Sequence, residues 1–182
     1  MRTLVFSDIH GSLPACRLIL QLVDKYRPDS VILLGDLLFQ SPNGSAPEEY
    51  DPPAAAKLLA AIPSRVIAVE GNCDEAPVKE LLPFPLARDF AWILTDGMRI
   101  FLTHGHIHTP ESLPPLGEGD VFLSGHTHIP QTTMQDGIAL CNPGSLSLPK
   151  EDHPASYGLI EFGAFTVLAA ENDEPYLRLE SL

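Results

Sequence analysis

The stretch Val31-Ile32-Leu33-Leu34-Gly35-Asp36 constrains this chain most. Four consecutive apolar residues are too few for a helix and read as a strand buried on both faces, the pattern of a parallel sheet. A glycine follows, and then a carboxylate stands at the strand's C-terminal end, where open α/β sheets hold their ligands. Five more short apolar runs end in the same way. Leu4-Val5-Phe6 leads into Ser7-Asp8-Ile9-His10-Gly11, and Val66-Ile67-Ala68-Val69 into Glu70-Gly71-Asn72-Cys73-Asp74. Ile100-Phe101-Leu102 leads into Thr103-His104-Gly105-His106, and Val121-Phe122-Leu123 into Ser124-Gly125-His126-Thr127-His128. Ile138-Ala139-Leu140 leads into Cys141-Asn142-Pro143-Gly144.

Between the first two runs, Ser12 can cap a helix that has Pro14 in its first turn and Cys16, Ile19, Leu20 and Val23 on one face. Arg27-Pro28 ends it. This β-α-β order predicts adjacent parallel strands, which brings Asp8, His10 and Asp36 to one sheet edge. Residues 40–53 contain four prolines and read as a mobile loop, either a surface excursion or a lid over substrate. A short helix is expected over Lys57–Ala61 and another around Val78–Leu82. The runs 158–162, 165–169 and 176–179 read as antiparallel strands joined by short turns. The pattern predicts one domain over 1–182, an α/β fold of two sheets packed face to face with helices outside.

Composition narrows the partners. The formal net charge is −13, and the surface of so acidic a chain repels a long phosphate backbone, so no long nucleic acid is expected. No apolar run approaches the ~18 residues that span a membrane, and residues 1–8 carry no secretory pattern. Cys16, Cys73 and Cys141 are odd in number and far apart, which suits reduced thiols in a cytoplasm.

The strand ends together offer Asp8, His10, Asp36, Asn72, His104, His126 and His128. Asp8 and His10 are two apart, as are His126 and His128, so extended segments would aim each pair to one side. Two carboxylates, one amide and four imidazoles suit Mn²⁺, Fe, Zn²⁺, Co²⁺ or Ni²⁺ better than Ca²⁺. Seven donors exceed one tetrahedral ion and suit two ions that share Asp36.

In this order, Asp8-Ile9-His10, Gly35-Asp36, Gly71-Asn72, His104 and Gly125-His126-Thr127-His128 resemble the calcineurin-like metallophosphoesterase superfamily, and within it the small bacterial YfcE-like phosphodiesterases. The likeness also takes in Gly71-Asn72-Cys73-Asp74, Asn142-Pro143-Gly144-Ser145 and Pro154-Ala155-Ser156-Tyr157. It implies a four-layer αββα sandwich of two mixed sheets flanked by helices. It places two divalent ions, Mn²⁺ first among the candidates, with Asp8, His10, Asp36 and His128 on one and Asp36, Asn72, His104 and His126 on the other. It further implies hydrolysis of a small phosphodiester by a hydroxide bridging the metals, with Asp36, Asn72 and His104 central to catalysis, in a homo-oligomer, dimer or tetramer. A phosphomonoesterase or small-nucleotide hydrolase with the same site is the alternative. A non-catalytic scaffold, like the retromer subunit that resembles this superfamily, is a more distant one.

Two positions depart from the wider superfamily. Many members carry a His after the Gly-Asn to protonate the leaving group; here the residue is Cys73. After Gly35-Asp36, Leu37-Leu38-Phe39 replace a common acidic and basic pair. His106, His108 or water become candidates for the missing acid, and His106 is the better candidate for orienting substrate or a metal ligand. Cations nearby would lower the Cys73 pKa, which would suit a redox or proton-transfer role; packing is the favoured role for this thiol. The turn at Asn142-Pro143-Gly144 is expected to buttress the His126 loop. Pockets formed by residues 40–53 and by Ser112–Leu116 would set substrate choice.

Overall fold

A computed structural model describes residues 1–74, 76, 78–95, 97–180 and 182. In chain order it runs β1 (Thr3–Phe6), α1 (Leu13–Tyr26), β2 (Ser30–Leu33), α2 (Pro52–Leu59), β3 (Arg65–Val69), a 3-10 turn (Val78–Leu81), β4 (Leu86–Ala87), β5 (Phe90–Thr95) and β6 (Met98–Thr103). Then follow β7 (Asp120–Leu123), β8 (Gln131–Gln135), β9 (Ile138–Asn142), β10 (Ser156–Glu161), β11 (Ala164–Ala169) and β12 (Pro175–Leu179). One sheet has the order β12-β11-β10-β1-β2-β3-β4 and the other β5-β6-β7-β9-β8. Strands β1 to β4 are mutually parallel, as are β6, β7 and β9, and the remaining pairings are antiparallel. This is the expected α/β architecture of two mixed sheets.

The twofold alternation of side chains along each strand sorts them into three apolar layers. Leu4, Phe6, Val31 and Leu33 face α1 and α2, where they meet Cys16, Ile19, Val23, Ala55 and Leu59. Their neighbours Val5, Ile32 and Leu34 point the other way, onto Ile100, Leu102, Val121, Leu123 and Cys141 of the second sheet. Phe101, Phe122, Ile138 and Leu140 line that sheet's outer face. The outermost layer there comes from the β6–β7 connection, which lays Leu113 and Leu116 on those rings. Leu113 and Leu116, expected near a substrate pocket, therefore serve the core.

Local signals explain the helices. Ser12 caps α1 by accepting from the Ala15 N–H, and Arg27 ends it in a left-handed conformation with φ 47°. Helix α2 begins five residues before the expected Lys57, at Pro52. Asp51 caps it, and the two prolines that suggested a loop occupy first-turn positions whose N–H groups need no partner. Strands β4, β5 and β8 were not foreseen. Strand β4 has two residues, β8 is polar, and β5 is an edge strand with Phe90, Trp92 and Leu94 exposed. Among the described residues no helix is long and apolar enough to cross a membrane.

Candidate metal centre

The C-terminal ends of the parallel strands of both sheets meet at one place. Beyond β1 and β2 the chain continues as paired loops: Asp8 N–H donates to the Gly35 carbonyl, His10 N–H to Asp36 and Gly11 N–H to Leu37. The second sheet extends likewise, Gly125 N–H donating to the His104 carbonyl. Hydrogen bonds cross between the layers. His126 N–H donates to Asp8 Oδ2 at 3.0 Å, and His104 Nδ1 meets the Leu34 carbonyl at 2.7 Å. Glycine permits this closeness. A Cβ on Gly71 would stand 2.2 Å from Asp36 Oδ1, and one on Gly125 would stand 1.8 Å from Ser7 Oγ.

All seven side chains singled out in the sequence converge here. Asp8 Oδ1 lies 3.3 Å from His128 Nε2 and 3.9 Å from His10 Nε2. Asp36 Oδ2 lies 3.7 Å from His10 Nε2, while Asp36 Oδ1 lies 3.4 Å from His104 Nε2. His104 Nε2 is 3.1 Å from Asn72 Oδ1 and 3.2 Å from His126 Nδ1. Three overlapping groups have donor atoms close enough to share an ion: Asp8-His10-His128, Asp8-Asp36-His104, and His10-Asp36-Cys73.

The backbone that aims them is not extended. Asp8, His10, Asp36, His126 and His128 have φ between 49° and 67°. The expectation that D-x-H and H-x-H spacing works through extended segments is therefore corrected. Each side chain is thrown inward by a left-handed residue, a conformation that Asp and His tolerate better than most.

Backbone carbonyls set the tautomers. The Nδ1 atoms of His10, His104 and His128 lie 2.6, 2.7 and 2.5 Å from the carbonyls of Phe39, Leu34 and Leu148. A proton on Nδ1 donates to each, which turns Nε2 toward the centre, the arrangement metal-binding histidines adopt. His10 and His128 then place two lone pairs 3.4 Å apart. Asp8 Oδ1 is buried with no hydrogen-bond partner among the described residues. Acceptors crowded around an orphaned carboxylate oxygen fit a cation and little else.

Electrostatics agree. Burial opposes the charge on Asp8, but the neighbouring His128 and His104 imidazoles hold it below the usual carboxylate range. Asp36 is likewise held low against burial by His104 and by the Cys73 N–H, which donates to Oδ1 at 2.8 Å. Burial would lower His104, yet Asp36 and Asp8 push it up to about 9. Burial first, then the Asp36 charge, push the Cys73 thiol up. It accepts from Asn72 Nδ2 at 3.3 Å.

The two remaining histidines separate. The His106 ring lies 5.4 Å from that of His104 and borders the centre, exposed. His108, a candidate acid by sequence, turns to the outer sheet face and packs edge-on against Phe90 and Phe101.

Several supporting residues were not read as such in the sequence. Asp74, buried, accepts from the N–H groups of Asp36, Leu37 and Gly71 at 2.7, 2.8 and 2.9 Å. Ser145 and Ser147 both donate to the Asp8 carbonyl. Asn142 donates to the Gly125 carbonyl at 2.8 Å and so buttresses the His126 loop as expected. The Gly71-Asn72-Cys73-Asp74 motif could have flagged Asp74, and Asn142-Pro143-Gly144-Ser145 could have flagged Ser145; nothing local flags Ser147.

Comparison with known proteins gives a consistent picture. The family model for the calcineurin-like phosphoesterase superfamily domain matches residues 1–164. The phosphodiesterase YfcE of Escherichia coli K12 is 41% identical over 174 residues, covering 96% of this chain and 94% of YfcE. The solved structure of YfcE, described as a phosphoesterase from E. coli, superposes with a TM-score of 0.96 over the full length of both chains at 38% identity. Vacuolar protein sorting 29 of Cryptosporidium parvum shares the fold, with a TM-score of 0.70 at 18% identity over 99% of this chain and 98% of that one.

Proposed function

This chain belongs to the calcineurin-like phosphoesterase superfamily, and from that premise we propose that it is a metal-dependent hydrolase of small phosphodiesters. The observation that carries the reading is the buried, unpartnered Asp8 Oδ1 among Nε2 lone pairs. The 41% identity to a protein named as a phosphodiesterase supports the diester as substrate.

Asp8, His10, Asp36 and His128 would hold one divalent ion, and Asp36, Asn72, His104 and His126 a second. Mn²⁺ comes first among candidates, with Fe, Zn²⁺, Co²⁺ or Ni²⁺ as alternatives for such donors. Bound there, the ions supply Lewis acidity to the phosphoryl oxygens and acidify water. The chain's own part is placement. The carbonyls of Phe39, Leu34 and Leu148 lock three imidazoles. The Cys73 N–H fixes the rotation of the Asp36 carboxylate. The donor set is therefore rigid before substrate arrives, which is where positioning lowers a barrier. His106, exposed at the rim, is placed to meet substrate.

The exposed edge strand β5, with Phe90, Trp92 and Leu94, supports self-association into a homo-oligomer. Light scattering on the purified protein tests it.

The functional test pairs metal analysis with side-by-side turnover of an aryl diester and an aryl monoester. We expect Mn²⁺-dependent cleavage of the diester, abolished by Asp36→Ala with the circular dichroism spectrum retained. Undiminished diester cleavage by Asp36→Ala, or turnover of the monoester alone, would overturn the reading.

A further inference from the structure

We infer that Arg88 is a substrate-binding residue that holds an anionic oxyacid group, carboxylate or phosphate, on one arm of the diester. The inference rests on the phosphodiesterase reading and adds a substrate class to it: diesters with a negative charge on one substituent besides the central phosphate.

No Lys or Arg stands beside the ligand motifs in the sequence, and the whole chain has only 11. The fold supplies one. Strand β4 pairs in parallel with β3, Val69 opposite Ala87, and Glu70 N–H continues the ladder to the Ala87 carbonyl. Arg88 therefore leaves β4 at the level where Glu70 leaves β3, on the same sheet edge that presents Asn72. A cavity of about 300 Å³ is lined there by Arg88 together with Asn72 and His106. One wall of that cavity is thus the candidate metal centre and another is a guanidinium.

The guanidinium is also without a carboxylate partner among the described residues. Arg2, Arg17, Arg27, Arg99 and Arg178 each pair with a carboxylate within 4.0 Å, whereas Arg88 and Arg65, both exposed, pair with none among the described residues, and of these two Arg88 is the one that lines the cavity. The carboxylate of Asp74, in the same cavity wall, is occupied by three backbone N–H groups. A permanently charged planar fork matches a carboxylate or phosphate in two-pronged fashion. Glu70 and Asp89 also line the cavity and favour the opposite charge, so the experiment carries a cationic arm.

The test uses three 4-nitrophenyl phosphodiesters whose retained alkyl arm ends in a methyl, a carboxylate or a trimethylammonium group. Wild type, Arg88→Lys, Arg88→Ala and Arg88→Glu are compared with Mn²⁺ present. Arg88→Ala should raise KM for the carboxylate arm about tenfold, as expected for one exposed charge-assisted contact, with kcat unchanged. KM for the methyl arm should stay within about twofold, because removing a contact absent from that substrate costs nothing. Arg88→Lys should restore part of the loss, and Arg88→Glu should shift preference to the ammonium arm. Equal changes on all three arms, or a wild-type preference for the ammonium arm, would overturn the inference. Failure of wild type to cleave any arm would instead overturn the phosphodiesterase reading, and this inference with it.

Discussion

Asp74 offers the sharpest test of how the centre is held. Its two carboxylate oxygens accept three backbone N–H groups, two from the loop after β2 and one from the loop after β3. Removing it with Asp74→Ala strands those donors in a buried site, at about 1–3 kcal/mol each. Against this stands relief from burying a carboxylate, since burial pushes the Asp74 pKa up. Water entering the vacated space recovers part of the rest, so the net loss should be about 3 kcal/mol. Asp74→Asn keeps one oxygen, which can stay on the Asp36 and Gly71 donors. Its NH₂ group then faces the Leu37 N–H, donor against donor, at a cost of about 1–2 kcal/mol. Urea unfolding extrapolated to water measures both, and calorimetric titration with Mn²⁺ reports the displacement of Asp36. Metal affinity should fall in the same order as stability. Stability of Asp74→Ala within about 0.5 kcal/mol of wild type, or Asp74→Asn as the worse of the two, would refute the argument.

Two other perturbations probe the packing. Gly125→Ala puts a methyl 1.8 Å from Ser7 Oγ and 2.9 Å from Asp8 Oδ2. It should destabilise by about 1–3 kcal/mol and lower metal content, with Ser7→Ala in the same chain restoring part of both, as thermal melts and metal analysis would show. Cys16 lies on the buried face of α1, and burial pushes its thiol from an ordinary 9.0 up to about 12. A raised pKa means its contribution is intact below pH 9 and lost as pH climbs toward 12, at up to about 1.4 kcal/mol per pH unit. Wild type should therefore lose more melting temperature between pH 8 and pH 10.5 than Cys16→Ala does; parallel losses would contradict this.

Much of the candidate site was legible because its residues sit where strand ends must meet. Short apolar runs fixed the strands, and a β-α-β order fixed which ends share an edge, so Asp8, His10 and Asp36 could be placed together without coordinates. Backbone conformation was not legible: Asp8 and His10 have φ of 53° and 49° where two-residue spacing suggested an extended chain. His106 and His108 look equivalent in sequence, and only the aromatic cluster of Phe90 and Phe101 draws the second away. Arg88 was invisible because its position depends on β4, a two-residue strand that exists through pairing with β3 rather than through its own pattern. Pro52 and Pro53 misled for a related reason: proline breaks a helix inside but suits its first turn.

Four of the candidate donors come from one layer and three from the other: Asp8, His10, Asp36 and Asn72 on the loops of the seven-stranded sheet, His104, His126 and His128 on those of the five-stranded sheet. A cation seated among them works as a rivet through the two layers. Any shear of one layer over the other would spread the donors apart, so the seam between the sheets, apolar from Val5 to Val121, serves as the alignment jig for the chemistry at its end.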